Sequence, residues 1–316
     1  MGYEKILETD AFVKEATDKI NKRIDEIQDD VVVLNGGRGC GKSSVLLSRE
    51  KDSLNSDNLS LYQIFPSYGN NCNFTDLQLA ECYYELIFSS YLLGYIRDNK
   101  QDSFSKYKKL YNEIDDKRRA ALKIIMNQEY SKNKFNVKKG DYTLEIIECL
   151  KNIFDKEKIT LMIDRFDWMD NRTKISQEFI SKYFGMFDKV ILTTDDENYA
   201  SNYPTISVDY GKDIDITVEI LRRYIALNNK TKKIESEMLD PVLINDQTIK
   251  YLFNRARGNL KIMKQLISKL SYCDYDKTVV TTEDFMKQCR SLTEKEFEKL
   301  EEPYILSNGL KPKFYI

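Results

Sequence analysis

The sequence contains no histidine. That absence removes Ser–His–Asp triads, imidazole acid–base catalysis and His-ligated metal centres from the chemistry open to the chain. Cysteine is sparse and scattered. Cys40, Cys72, Cys82, Cys149, Cys273 and Cys289 form no C-x-x-C pair, so neither a zinc ribbon nor a thioredoxin-type redox pair is indicated. With no apolar signal-peptide segment between Met1 and Asp25, the cysteines read as reduced thiols and the compartment as cytoplasmic. Met1-Gly2 does not continue into a myristoylation motif, because the sixth residue is Ile6 where Ser or Thr is wanted. Net charge is nearly missing too. The 49 Lys and Arg against 51 Asp and Glu leave −2, so no chain-wide field recruits nucleic acid or an anionic membrane. Long hydrophobic runs are also lacking. The most apolar long stretch, Tyr83 to Ile96, carries Glu85, Ser89 and Ser90 and falls short of the ~20 residues that span a bilayer. It reads as a buried helix, and no membrane partner is expected.

What is present is enough to fold. The 316 residues are 41% apolar and 32% charged, which suits one large α/β core plus a lobe of roughly 60–100 residues. Residues 11–29 place Phe12, Ala16, Ile20, Ile24 and Ile27 at helical spacing. Val31-Val32-Val33-Leu34 follows, an apolar run of the kind buried on both faces of a parallel sheet. Similar runs recur at 59–65, 159–163, 190–194 and 205–208, with helical patterns between most of them. This alternation predicts a parallel α/β sheet with right-handed crossovers. The second and third runs lie too far apart for a plain crossover. Residues 75–130 between them are helix-patterned, which predicts a helical insertion at about 75–140. Residues 213–270 are helical again and lack strand runs, so a core over 1–210 is followed by a helical lobe over 211–290. The segment 291–316 is a charged helix or tail, interrupted by Pro303.

The most specific motif is Gly36-Gly37-Arg38-Gly39-Cys40-Gly41-Lys42-Ser43, which fits G-x-x-x-x-G-K-[ST], the Walker A pattern, and runs on into Ser44. Glycines let the backbone curl so that its N–H groups converge on phosphate oxygens. Lys42 supplies a mobile point charge for the terminal phosphates, and the Ser43 hydroxyl suits Mg²⁺. The helix that follows turns its positive dipole end toward the anion. ATP and Mg²⁺ are therefore the expected cofactors. Ile159 to Ile163 is an apolar strand ending in Asp164, the form of a Walker B element, so Ser43 and Asp164 are the candidate metal ligands.

The residue after Asp164 is Arg165, which accepts no proton at neutral pH. Asp167 is then the nearest candidate to orient an attacking water, with Asp170 a weaker one. Asp167 reads equally well as a helix N-cap. The strand 190–194 ends in Thr193 and Thr194, where a hydroxyl can touch the γ-phosphate or the water; β-branched strand ends explain the same residues. In Arg255-Ala256-Arg257-Gly258-Asn259-Leu260-Lys261, either Arg257 or Lys261 can reach the phosphates, or both belong to a solvated helix face. Residues Lys106 to Lys139 hold eleven Lys or Arg and four Asp or Glu, interleaved with Tyr107, Tyr111, Tyr130 and Phe135. Cations among rings suit a DNA or RNA partner, and a solvated helical insertion carries the same pattern.

Taken in this order, the stretches GGRGCGKS, LMIDRFD, VILTT and RARGNLKIMKQL resemble the AAA+ ATPases and their STAND relatives. The likeness leans toward the origin-recognition and replication-initiator branch and the transposon target-selection ATPases, with KAP-type P-loop ATPases as near neighbours. The resemblance implies a five-stranded core of order 5-1-4-3-2 and a C-terminal helical lid. It also implies ATP bound where core and lid meet, often between subunits, and hence self-oligomerisation through the ATP site. By the same resemblance Thr193 or Thr194 matches sensor 1, and Lys261 stands in sensor 2 where Arg is usual. Arg165 departs from the family's catalytic acid, and only Arg172 and Arg222 offer themselves as an arginine finger. Two functions follow. One is a nucleotide-dependent switch or assembly factor with slow hydrolysis, acting on nucleic acid in replication, transposition or defence. The other is a protein-assembly scaffold with little or no hydrolysis and a protein partner.

Overall fold

The computed structural model describes residues 14–37, 39–64, 77–127, 142–166, 177–195, 203–210, 243–244 and 279–280. The chain divides into two compact units. One comprises Met1–Asn21, Gly36–Val45 and Ser207–Ile316; the other comprises Lys22–Asn35 and Leu46–Ile206.

Helix α1 (Lys14–Glu26) leads to β1 (Val31–Asn35), and α2 (Lys42–Ser53) leads to β2 (Asn58–Ile64). Helices α3 (Leu77–Asn99), α4 (Gln101–Phe104), α5 (Lys108–Asn127) and α6 (Tyr142–Phe154) then precede β3 (Lys158–Asp164). Helix α7 (Gln177–Phe184), β4 (Lys189–Thr194) and β5 (Thr205–Ser207) complete the sheet, whose order is β2-β3-β4-β1-β5. Read from the other edge this is 5-1-4-3-2, the expected order. The pairings of β1 with β4, β4 with β3 and β3 with β2 are all parallel. Each predicted strand run lies within two residues of an observed strand. One reading is corrected. The stretch 213–270 does contain a strand, β6 (Leu243–Ile244), which pairs in parallel with β7 (Val279–Val280). Two residues are too few to leave a periodic signal in the sequence.

The central strands are buried on both faces because their runs are apolar at consecutive positions: Val32, Val33 and Leu34 of β1 and Val190, Ile191 and Leu192 of β4 are all fully buried. One face, carrying Val33, Leu61, Leu161, Ile163 and Leu192, packs with Tyr83, Phe88 and Leu92 of α3, Ile146 and Leu150 of α6, and Phe184 of α7. Helix α3 also packs against α5 and α6. Enclosed on several sides, it buries Tyr83, Tyr84, Leu86, Phe88, Leu92, Leu93 and Ile96 around most of its circumference. That is why Tyr83 to Ile96 is so apolar. Among the described residues no helix is long and apolar enough to cross a membrane.

Two side-chain devices finish this unit. Lys189 at the start of β4 donates to the carbonyls of Ile24 and Ile27 at 2.8 and 2.7 Å, satisfying acceptors that the end of α1 leaves unpaired. Burial, with Arg49 nearby, lowers the Lys189 pKa. The second device lies on β2, which ends the sheet. Side chains take both outward backbone groups of Tyr62: its N–H donates to Glu50 Oε1 at 3.1 Å and the Tyr91 hydroxyl donates to its C=O, while the Ser53 hydroxyl, which donates to Glu50 C=O at 2.6 Å, lies 3.5 Å from Ser60 C=O. Glu50 and Ser53 sit three residues apart on α2, hence on one face, and both are buried.

Glu50→Ala leaves the buried Tyr62 N–H without this acceptor and should cost about 1–3 kcal/mol, while Glu50→Gln, which keeps an acceptor oxygen, should cost less. Urea unfolding of the two variants beside wild type checks the order; equal stability of Glu50→Ala and wild type would refute the pairing.

Candidate functional site

The Gly36–Ser43 segment begins at the residue after β1 and runs into the first turn of α2. Its glycines are not equivalent. Gly39 and Gly41 have φ of 78° and 109°, in the region that side chains disfavour. A Cβ on Gly41 would also meet the Tyr210 ring at 2.3 Å. At Gly36 the φ is unremarkable, but a Cβ would come within 2.2 Å of the Val208 carbonyl oxygen and 2.8 Å of Cys40 Sγ. Gly37 would gain a Cβ with nothing within 4 Å. The segment just after β5 thus packs on the loop, and Tyr210 N–H donates to Cys40 C=O at 3.3 Å. Sequence reasoning missed Val208 and Tyr210, since neither belongs to a motif.

Lys42 opens α2, and its ammonium donates to the carbonyls of Gly36 at 2.5 Å and Gly37 at 3.2 Å. Among its described residues the loop therefore gathers glycine backbone and the Lys42 ammonium around the N-terminus of a helix. Cys40 is buried and its thiol pKa is raised by that burial, which keeps it from acting as a thiolate nucleophile. Ser43 and Ser44 are half-buried in the first turn. Arg38 lies outside the described residues.

In the other unit, β1, β3 and β4 run parallel, so their carboxyl ends share one edge of the sheet, where α/β proteins commonly bind ligands. Asp164 ends β3, only 3% exposed. Its Oδ1 accepts from Thr193 Oγ1 at 2.5 Å and its Oδ2 from the Tyr62 hydroxyl at 2.9 Å. The Thr193 hydroxyl in turn accepts from Arg165 N–H at 2.8 Å, and Phe166 N–H donates to Thr193 C=O at 2.9 Å. Thr193 thus orders the chain as it leaves β3. Thr194, its neighbour on the opposite face, is buried and in register with Asn35. Burial and the Asp164 charge push the Tyr62 phenol well above its ordinary pKa, so it stays a donor. Tyr62 was also missed. It looks like one more strand residue, and the only hint is that a tyrosine in a buried strand needs a partner for its hydroxyl.

Arg165 turns the chain with φ 63°, exposing its side chain while Phe166 is buried against Phe184 with ring centroids 5.7 Å apart. Asp167, Asp170, Arg172, Arg222, Arg257 and Lys261 lie outside the described residues. In the basic stretch, Tyr107 and Tyr111 pack against the core as partly buried rings, and Arg97 donates to the Tyr111 hydroxyl at 3.1 Å. Lys117 bonds Glu113 at 2.6 Å, while Arg118 and Arg119 both bond the buried Asp115, the first at 2.6 Å. These three cations answer acids on their own helix. Tyr130 and Phe135 fall outside the described residues.

No family model matches the sequence, and no curated protein is similar to it at a significant level. Among solved structures the chain is similar to that of C. elegans PCH-2, at 13% identity and a TM-score of 0.39, over 95% of this chain and 68% of that one.

The glycine geometry makes a graded prediction. Gly36→Ala and Gly41→Ala should each cost about 1–3 kcal/mol through close contacts, with backbone strain added at Gly41. Gly37→Ala should be neutral or stabilise by up to about 1 kcal/mol. Thermal melts of the three variants give the order, and a destabilised Gly37→Ala would contradict the loop geometry.

Proposed function

We propose that the chain is an ATP-binding P-loop ATPase of the AAA+/STAND kind, working as a nucleotide-dependent switch or assembly factor. One observation carries the reading. A Gly36–Ser43 segment of Walker A sequence, with Gly39 and Gly41 at positive φ, joins a buried strand β1 to helix α2, in a parallel sheet of order 5-1-4-3-2. On this reading the backbone N–H groups from Gly36 to Ser44 bind the phosphates, and Lys42 leaves the Gly36 and Gly37 carbonyls for the terminal phosphate oxygens. Ser43 and Asp164 are hard oxygen donors, and two of the groups that hold Asp164 are uncharged hydroxyls, so the donor chemistry fits Mg²⁺. Bound there, Mg²⁺ would neutralise charge on the β- and γ-phosphate oxygens.

Hydrolysis of ATP to ADP and phosphate forms a bond from water to the γ-phosphorus and breaks the bond to the β–γ bridging oxygen; the water's proton passes to a base. Arg165 stands where the family has its acid and supplies only donors, so turnover in the isolated protein is slow. Asp167 is the proposed base, and Thr194 the proposed γ-phosphate sensor, with Thr193 the alternative on the same strand end. Lys261, from a lid over 211–290, is the proposed second sensor. Self-assembly through the ATP site follows from the family likeness. The paired state of Lys117, Arg118 and Arg119 and the packing of Tyr107 and Tyr111 take these five residues out of the basic, aromatic pattern that pointed to DNA or RNA at the Lys106–Lys139 insertion.

ATP with Mg²⁺ at about 100 times Kd should stabilise the wild type by about 2.7 kcal/mol, and Lys42→Ala should lose most of that gain. An equal nucleotide-dependent thermal shift in both proteins would remove this loop from the site. Asp167→Asn should lower phosphate release by about 10²-fold while keeping ATP binding, the scale of a general base. Turnover unchanged by Asp167→Asn would leave Asp167 as a helix cap, since Asn caps as well.

A further inference from the structure

Asp164 receives one donor from each neighbouring strand. Thr193 on β4 takes Oδ1 and Tyr62 on β2 takes Oδ2. The register explains how Tyr62 reaches. It stands opposite Met162, so its side chain shares a face with Met162 and with Asp164 two residues further along β3. The terminal torsion of a carboxylate is soft and two-fold, so burial alone does not fix its plane. Two donors from opposite sides do, because rotation breaks one bond or both.

Tyr62 is itself held at three points. Its N–H is bonded to Glu50 of α2, its C=O accepts from Tyr91 of α3, and its phenol ends on Asp164. Tyr62 as a whole is 8% exposed. A phenylalanine would fill the same space, so the hydroxyl is the part of this residue that packing does not require.

We infer that Tyr62 is a positioning residue for Asp164: its phenol sets the orientation in which the carboxylate is presented to Mg²⁺ at the ATP site. The inference rests on the ATP and Mg²⁺ reading above and adds a residue that no phosphate-loop motif contains. Donors to a metal-ligating carboxylate fix its orientation, and their loss commonly weakens metal binding about 10–100-fold.

The test is the Mg²⁺ dependence of nucleotide binding, measured with a fluorescent ATP analogue in wild type and Tyr62→Phe. The concentration of Mg²⁺ giving half the metal-dependent gain in affinity should rise about tenfold or more in the variant. Affinity in EDTA, which reads the loop without metal, should stay within about twofold, because Tyr62 acts through Asp164 alone. Tyr62→Met, which also lacks the hydroxyl but fills the strand position differently, should shift the Mg²⁺ midpoint the same way and serves if Tyr62→Phe folds poorly. A lowered melting temperature with an unchanged Mg²⁺ midpoint would make Tyr62 a merely structural residue and overturn the inference alone. A wild type that binds nucleotide with no Mg²⁺ dependence would overturn the metal reading together with the inference. Failure of the wild type to bind nucleotide at all would sink the proposed function itself.

Discussion

A carboxylate buried at the end of a central strand must be supplied with donors, and much of the local structure around Asp164 answers that demand. An unpaired charge in an apolar setting costs more than a domain can carry. Tyr62 and Thr193 meet the cost from the two flanking strands. Each is then constrained in turn. Thr193 also receives the amide of Arg165, which turns the chain out of the sheet and buries Phe166 beneath it. Tyr62 needs a fixed backbone, which Glu50 and Tyr91 provide. A polar cluster of this kind is worth more than its separate bonds, because each member orients the next.

The sheet was legible in the sequence because its signal is local. Val31 to Leu34, Ile159 to Ile163 and Val190 to Thr194 are short runs of apolar and β-branched residues bounded by polar ones, the composition of a strand covered on both faces. The strand order was not readable from these runs. It came from the family likeness, and the observed pairing agrees with it. The phosphate loop was legible for a different reason. Its glycines are demanded by φ at Gly39 and Gly41 and by close contact at Gly36, so few other residues are admitted there. Gly37 meets neither demand in this conformation, and the same motif did not mark it as different.

What the sequence hid are the contacts between residues distant along the chain. Tyr62 and Asp164 meet through register, and nothing in LSLYQI reveals which strand will lie beside it. Glu50 looks like a solvated helix acid, yet it is buried on a backbone amide. Arg118 and Arg119 look like a basic patch, and a periodic reading counts their charge without seeing Asp115 take both guanidinium groups. In each case the missing information is a side-chain direction. Helical spacing narrows it to a face, but only the fold decides what the face meets.

The way β2 is finished also bears on proteostasis. A terminal strand with open amides and carbonyls is a template on which another chain can crystallise as the next strand, and that is how fibrils and swapped dimers start. Here both outward groups of Tyr62 are already occupied by Glu50 and Tyr91, drawn from helices of the same unit. An incoming strand would have to displace a buried carboxylate before pairing with the Tyr62 amide. Crowded copies of this chain are thus discouraged from growing a cross-β ribbon through this stretch of the edge.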